Sequence, residues 1–183
     1  MSSLVGHLLI AMPQMGDERF MRSVIFMCAH NDEGAMGLII NKVIEKPSMA
    51  DLVDQLGIEG KGFDGASVHF GGPVESGRGF VLHSPDYNET ATMVIDGRFG
   101  LTASMDVLRA IGRGEGPSRN IFALGYAGWG PGQLDAEIQA NGWLHVAADD
   151  ELIFDRGIDD KWRRAIAKLG VDPSALSGDA GHA

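Results

Sequence analysis

Residues 21–29 (MRSVIFMCA) and 36–43 (MGLIINKV) are β-rich runs separated by the polar turn HNDEG at 30–34. Two such runs across a short polar turn predict a hairpin. The pattern recurs along the chain, and it constrains the fold more than any other feature. Further strand-like runs fall at Leu4–Met12, Ala66–Phe70, Gly79–His83, Thr92–Ile95, Phe99–Thr102, Asn120–Tyr126, Trp143–Ala147 and Glu151–Phe154. Helical patterns are fewer, about four: Met49–Gly57 behind Ser48, Ser104–Gly112, Pro131–Ala140 and Asp159–Leu169. Strands arrive in consecutive runs and do not alternate one-for-one with helices, which predicts an α+β fold on a mainly antiparallel sheet. Twenty-six glycines without a fixed period suit the many tight turns this requires.

A chain of 183 residues, 44% hydrophobic, holds one domain with a sizeable core. We place that domain at residues 1–170 and read 171–183 as a flexible tail. The net charge of −10 opposes a phosphate backbone and makes nucleic acid a poor direct ligand. The single cysteine, Cys28, forms no internal disulfide and suits a reduced, cytoplasmic protein. No basic residue precedes Arg19, His7 interrupts the first apolar run and Pro13 ends it, which argues against a signal peptide. No segment approaches the ~20 apolar residues of a membrane span.

Several motifs come close to carrying chemistry. Gly60–Gly65 (GKGFDG) matches G-x-G-x-x-G, but a helix precedes it and a strand follows, the reverse of a dinucleotide site. His69–Pro73 (HFGGP) resembles an esterase oxyanion loop, yet the chain has no G-x-S-x-G nucleophile elbow. The six histidines stand singly with no metal-ligand spacing, so neither a metal nor another cofactor is expected. Strand alternation places Cys28 and His30 on one face, where the imidazole would stabilise a thiolate and make Cys28 a redox candidate. An inward, inert Cys28 is the simpler alternative.

The stretch GYAGWGPGQLDAEI (125–138) has the glycines and helix start of an anion site. It lacks the P-loop lysine, and Asp135 and Glu137 occupy the first turns of the helix. A tight strand-to-helix junction anchored by Trp129 fits it better than a phosphate cradle.

That stretch, together with LLIAMP (8–13), RSVIFMCAHN (22–31), GAMGLIINK (34–42) and HFGGPV (69–74), resembles the AlgH/YqgE family of bacterial proteins over about Leu4 to Gly170. The resemblance implies a bifurcated sheet curled into a pseudo-barrel. The matching signature positions are Asn41, Gly71, Gly72, Pro73, Gly128, Trp129, Gly132, Gln133 and Glu137. One branch is named for a regulatory role in alginate production, so members are labelled transcriptional regulators. No catalytic residue transfers.

The favoured reading is a non-enzymatic binding or regulatory protein acting through a protein or small-molecule partner. Its candidate site comprises His69, Gly71, Gly72, Trp129, Gln133 and Glu137. An enzyme using Cys28, or His69, Gln133 and Glu137 in one pocket, is the alternative. A regulator contacting DNA directly ranks last.

Overall fold

The computed structural model describes residues 3–155 and 157–170; the tail expected at 171–183 lies outside them. The strands are β1 (His7–Ala11), β2 (Val24–Asn31), β3 (Gly34–Ile39), β4 (Val43–Ile44), β5 (Val68–Phe70), β6 (Val74–His83), β7 (Thr92–Ile95), β8 (Phe99–Thr102), β9 (Asn120–Trp129) and β10 (Trp143–Ala147). The helices are α1 (Met49–Gln55), α2 (Met105–Gly112), α3 (Gln133–Gln139), α4 (Asp150–Phe154) and α5 (Lys161–Ala167). The architecture is α+β: a curled, mostly antiparallel sheet forming a half-barrel in the order β10-β1-β2-β3-β9-β6-β8-β7.

Strand β9 forks this sheet. Its first half pairs in parallel with β5 (Val68↔Phe122, Phe70↔Leu124). Its second half pairs antiparallel with β3 (Ala35↔Trp129, Gly37↔Ala127) along the same edge. Its opposite edge carries β6 from Asn120 to Tyr126, with a register shift between Val74 and Gly79.

Alternation along β1–β3 sends Leu8, Ile10, Val24, Phe26, Leu38 and Ile40 into one core cluster. Leu9, Ala11, Ile25, Met27 and Ile39 enter another. Trp162, Ala165 and Ile166 of α5 cover the first face and Leu134 of α3 packs in the second. Burial on both faces explains why these strands read as unbroken apolar runs. A third cluster seats Met49 of α1 and Val107, Leu108 and Ile111 of α2 against Val81 and Phe122.

Local signals account for most elements. Ser48 and Asp51 form a reciprocal capping box at the start of α1. Ser104 sits at the start of α2, but its hydroxyl donates to Glu89 and makes no helix cap. Glycines 60 and 62 of the G-x-G-x-x-G motif lie backbone against backbone on Ile111 and Gly112, so they serve loop packing.

Three expectations need correction. Glu151–Phe154 is helical, which makes five helices where the sequence suggested about four. Asp149 caps the Glu151 N–H, Asp150 and Glu151 favour the helix dipole, and adjacent Leu152 and Ile153 are both buried. Strand β9 runs on past Tyr126 to Trp129, so the first five residues of the glycine-rich stretch are sheet. Helical spacing in Asp159–Leu169 sets Lys161, Arg164 and Lys168 opposite Trp162, Ile166 and Leu169, on the expected solvent side, yet Lys161 is fully buried.

Candidate functional site

The glycines of the candidate site lie at the fork. Gly71 donates to Leu124 O (2.9 Å) and accepts from Ile39 N (2.9 Å), linking β9 and β3 where they separate. A Cβ at Gly71 would overlap the Gly125 carbonyl, and one at Gly72 the Tyr126 carbonyl. Gly72 (φ +154°) and Gly125 (φ +76°) also adopt backbone conformations that side chains disfavour. The HFGGP turn therefore brings two backbones into contact, and nothing about it requires an oxyanion.

Beyond the fork, β9 delivers Trp129 to α3. Glu137 Oε1 accepts the indole N–H groups of Trp129 (3.1 Å) and Trp143 (3.0 Å). Glu137 Oε2 accepts from Gln133 Nε2 (2.9 Å), and Gln133 Oε1 accepts the Gly130 N–H (2.9 Å). Gln133 thus folds back over the junction that could have met an anion, and Gly132 enters the helix at φ +71°. The two indoles stand edge to face at 6.1 Å, and Phe20 meets Trp143 the same way at 5.9 Å. These groups, with Met15, Asp17 and Arg19, line a cleft of about 380 Å³. Trp143 completes the clamp and was not among the sequence candidates. Its partner lies six residues away across the Asn141-Gly142 turn, a separation that no helix or strand period singles out.

His69 lies elsewhere, on β5 between Val43 and Ala123. It lines a different cavity, of about 800 Å³, and that cavity contains neither Gln133 nor Glu137. The shared pocket needed for an enzyme built on His69, Gln133 and Glu137 is therefore absent among the described residues. His69 is 5% exposed, and neither ring nitrogen has a hydrogen-bond partner. Burial, aided by the Lys161 charge, pushes its pKa down to about 4. The backbone of Phe122 and Ser67 opposes that shift without reaching hydrogen-bonding geometry.

This sets a pH dependence. The unfolded imidazole takes a proton below its ordinary 6.5, whereas the folded one resists until about 4. The stability is fully present above pH 6.5 and falls between 6.5 and 4 with a His69 slope approaching about 1.4 kcal/mol per pH unit. Buried His83, also pushed down chiefly by burial, contributes to the same window. Denaturant titrations across this range should lose the His69 share in His69→Gln.

Cys28 lies in the main core cluster at 3% exposure, and burial pushes its thiol well up. The alternation that would pair it with His30 fails because the β2–β3 register shifts between Met27 and Ala29. The His30 ring instead accepts the Leu4 N–H at Nδ1 (3.0 Å) and faces Asp135 from Nε2 (3.4 Å). The structure thus supplies neither access nor a base for a redox thiol. Native protein should leave Cys28 unlabelled by an aromatic disulfide reagent until it unfolds; rapid labelling at neutral pH would contradict this placement.

Asn41, another signature position, also has a structural duty. Its side chain accepts from Val24 N (2.9 Å) and donates to Arg22 O (2.8 Å), extending the β2–β3 pairing past its last backbone bond. No helix among the described residues is long and apolar enough to cross a membrane.

The AlgH-like family model matches residues 8–174. A UPF0301 protein of Rhodospirillum rubrum is 55% identical over 181 residues, covering 98% of this chain and 94% of its own. A UPF0301 protein of Bradyrhizobium diazoefficiens is 55% identical over 189 residues, covering 98% and 88%. Among solved structures, the AlgH protein from Pseudomonas aeruginosa superposes with a TM-score of 0.80 at 40% identity, covering 100% of this chain and 99% of that one. Protein DIP2367 from Corynebacterium diphtheriae shares the fold, with a TM-score of 0.76 at 19% identity over 97% and 93% of the two chains. With the match spanning both limbs of the fork and the Trp129–Glu137 clamp, the chain belongs to the AlgH-like family.

Proposed function

We propose that this protein is a non-enzymatic binding and regulatory protein, acting through a protein or small-molecule partner seated in the cleft around Trp129 and Trp143. One observation carries this reading. Both oxygens of Glu137 are occupied by N–H donors from Trp129, Trp143 and Gln133, and Gln133 is itself tied to Gly130. The polar signature residues thus hold one another, and the cleft offers a preorganised aromatic shape without a free base or nucleophile. Such a site suits recognition on a rigid, preorganised surface, which lowers the ordering cost of binding. The net charge of −10 supports a partner other than nucleic acid.

The test is affinity capture from the native host, with mass spectrometry of retained proteins and metabolites. Wild type is compared with Met15→Ala/Arg19→Glu, which alters the cleft's rim and leaves the clamp intact. A partner retained by wild type and lost by the folded variant supports the proposal. Identical captures from both, or turnover of a metabolite abolished by one polar substitution, would overturn it.

A further inference from the structure

The curled sheet ends at β10 on one side and at β7 on the other, and the two edges are built differently. Lys168 reaches Ala147 O at the end of β10 (3.3 Å), and a charge of this kind keeps other strands away. Strand β7 carries no such guard. From Thr90 to Ile95 the chain has neither charge nor proline, and Met93 (41% exposed) and Val94 (57% exposed) stand in solvent. Apart from β8, no strand pairs with β7 among the described residues.

The direction of its backbone groups defines what fits there. Ile95 O accepts from Arg98 N (3.1 Å) across the hairpin turn, so Ile95 turns its polar groups toward β8. Such groups alternate sides along a strand, so Met93 faces β8 as well, and Thr92 and Val94 face the free edge. Thr92 agrees: its N–H goes back to Glu89 O (3.0 Å) in its own chain and not to β8. The edge therefore presents the N–H and C=O of Val94, the C=O of Thr92 and the N–H of Asp96.

That set is self-complementary. A second β7 running antiparallel about a two-fold axis at Val94 exchanges both Val94 N–H···O bonds and sets Asp96 N–H against Thr92 O, twice. An axis at Met93 would instead require the Thr92 N–H that Glu89 already holds. With the axis at Val94, Asp96 stands opposite Thr92 and no like charges meet. Both partners are preformed strands, so pairing orders little new chain.

We infer that β7 is a self-association edge, through which a second copy of this chain pairs antiparallel about Val94 and continues the sheet into a two-fold dimer. The strand is four residues long, a contact well short of a permanent interface, so the dimer is reversible and concentration-dependent. No residue of β7 lines the Trp129 cleft, so the two readings stand or fall separately.

Sedimentation equilibrium of the full chain should show monomer and dimer exchanging between about 10 μM and 1 mM. Val94→Pro removes the central N–H, which an edge strand tolerates where that N–H faces solvent, and Val94→Lys sets two like charges across the axis. Each should weaken dimerisation by at least about tenfold while keeping the wild-type circular dichroism. Met21→Lys, at an exposed apolar residue elsewhere (47%), should leave the equilibrium unchanged. Val94→Cys should form a disulfide-linked dimer under mild oxidation, because hydrogen-bonded partners stand about 5.5 Å apart. Thr90→Cys, on the order of 25 Å from its counterpart, should not. Buried Cys28 takes no part. A wild-type chain that stays monomeric up to about 1 mM would overturn the inference. So would a dimer unaffected by Val94→Lys, or one cross-linked by Thr90→Cys and not by Val94→Cys. If Val94→Pro fails to fold, Val94→Lys and the two cysteine variants decide.

Discussion

Gly72→Ala is expected to cost about 4 kcal/mol, near the upper end for a single substitution, and to lower the melting temperature by roughly 12 °C. The added methyl would meet the carbonyl of Tyr126 and the amide nitrogen of Ala127, which are backbone atoms of the central strand. A flexible side chain could swing away from such an overlap; β9, held between β6 and two partners, cannot. Relief therefore requires one limb of the fork to separate. Gly114→Ala is the control. It also has a positive φ (+78°), but nothing lies within 4 Å of its added methyl, so only conformational strain of about 1 kcal/mol remains. Equal effects of the two substitutions in equilibrium denaturation would show that the fork is not closely packed.

Glu137→Ala has the next largest effect expected, about 3 kcal/mol, because it strands two indole N–H groups at once. Trp129 is 7% exposed and Trp143 2%, so water cannot readily replace the lost acceptor. Both indoles bond the same oxygen, Oε1, and an amide at this position keeps an equivalent oxygen. Glu137→Gln should therefore lose only the Gln133 contact, at about 1 kcal/mol. Denaturation followed by tryptophan fluorescence and near-ultraviolet circular dichroism should rank wild type above Gln and Gln above Ala. A Gln variant as unstable as the Ala variant would mean that charge, and not the two indole bonds, holds the clamp.

The strands and their antiparallel character were legible because alternation and glycine-rich turns are local signals. Thr92–Ile95 and Phe99–Thr102 form as read, and Ser48 caps α1. The α4 segment misled because Glu-Leu-Ile-Phe has no period of its own, and the capping role of Asp149 shows only when the helix is present. Lys161 misled because helical spacing places a residue on a face without saying what covers it; Ile153 of α4 and Ile40, just past β3, supply the carbonyls that meet this one. The candidate site was legible as a set of residues and not as one place. His69, the fork glycines and the Trp129 clamp are close in chain order or signature, but three-dimensional pairing sends them to a cavity, a backbone crossing and a cleft. The Cys28–His30 pairing failed for a related reason: a bulge is one extra residue, invisible in sequence, and it reverses every side chain beyond it.

The fork has a consequence for how the chain is made. Ala35 waits for Trp129, Val68 waits for Phe122, and His7 waits for Ala147. During synthesis the first hairpin emerges early, but neither limb can close on β9 until most of the protein has left the ribosome. Loops of this length delay closure and leave apolar strand faces uncovered meanwhile. A nascent chain halted before β9 should be protease-sensitive throughout, whereas one extended past β10 should become resistant in a single cooperative step.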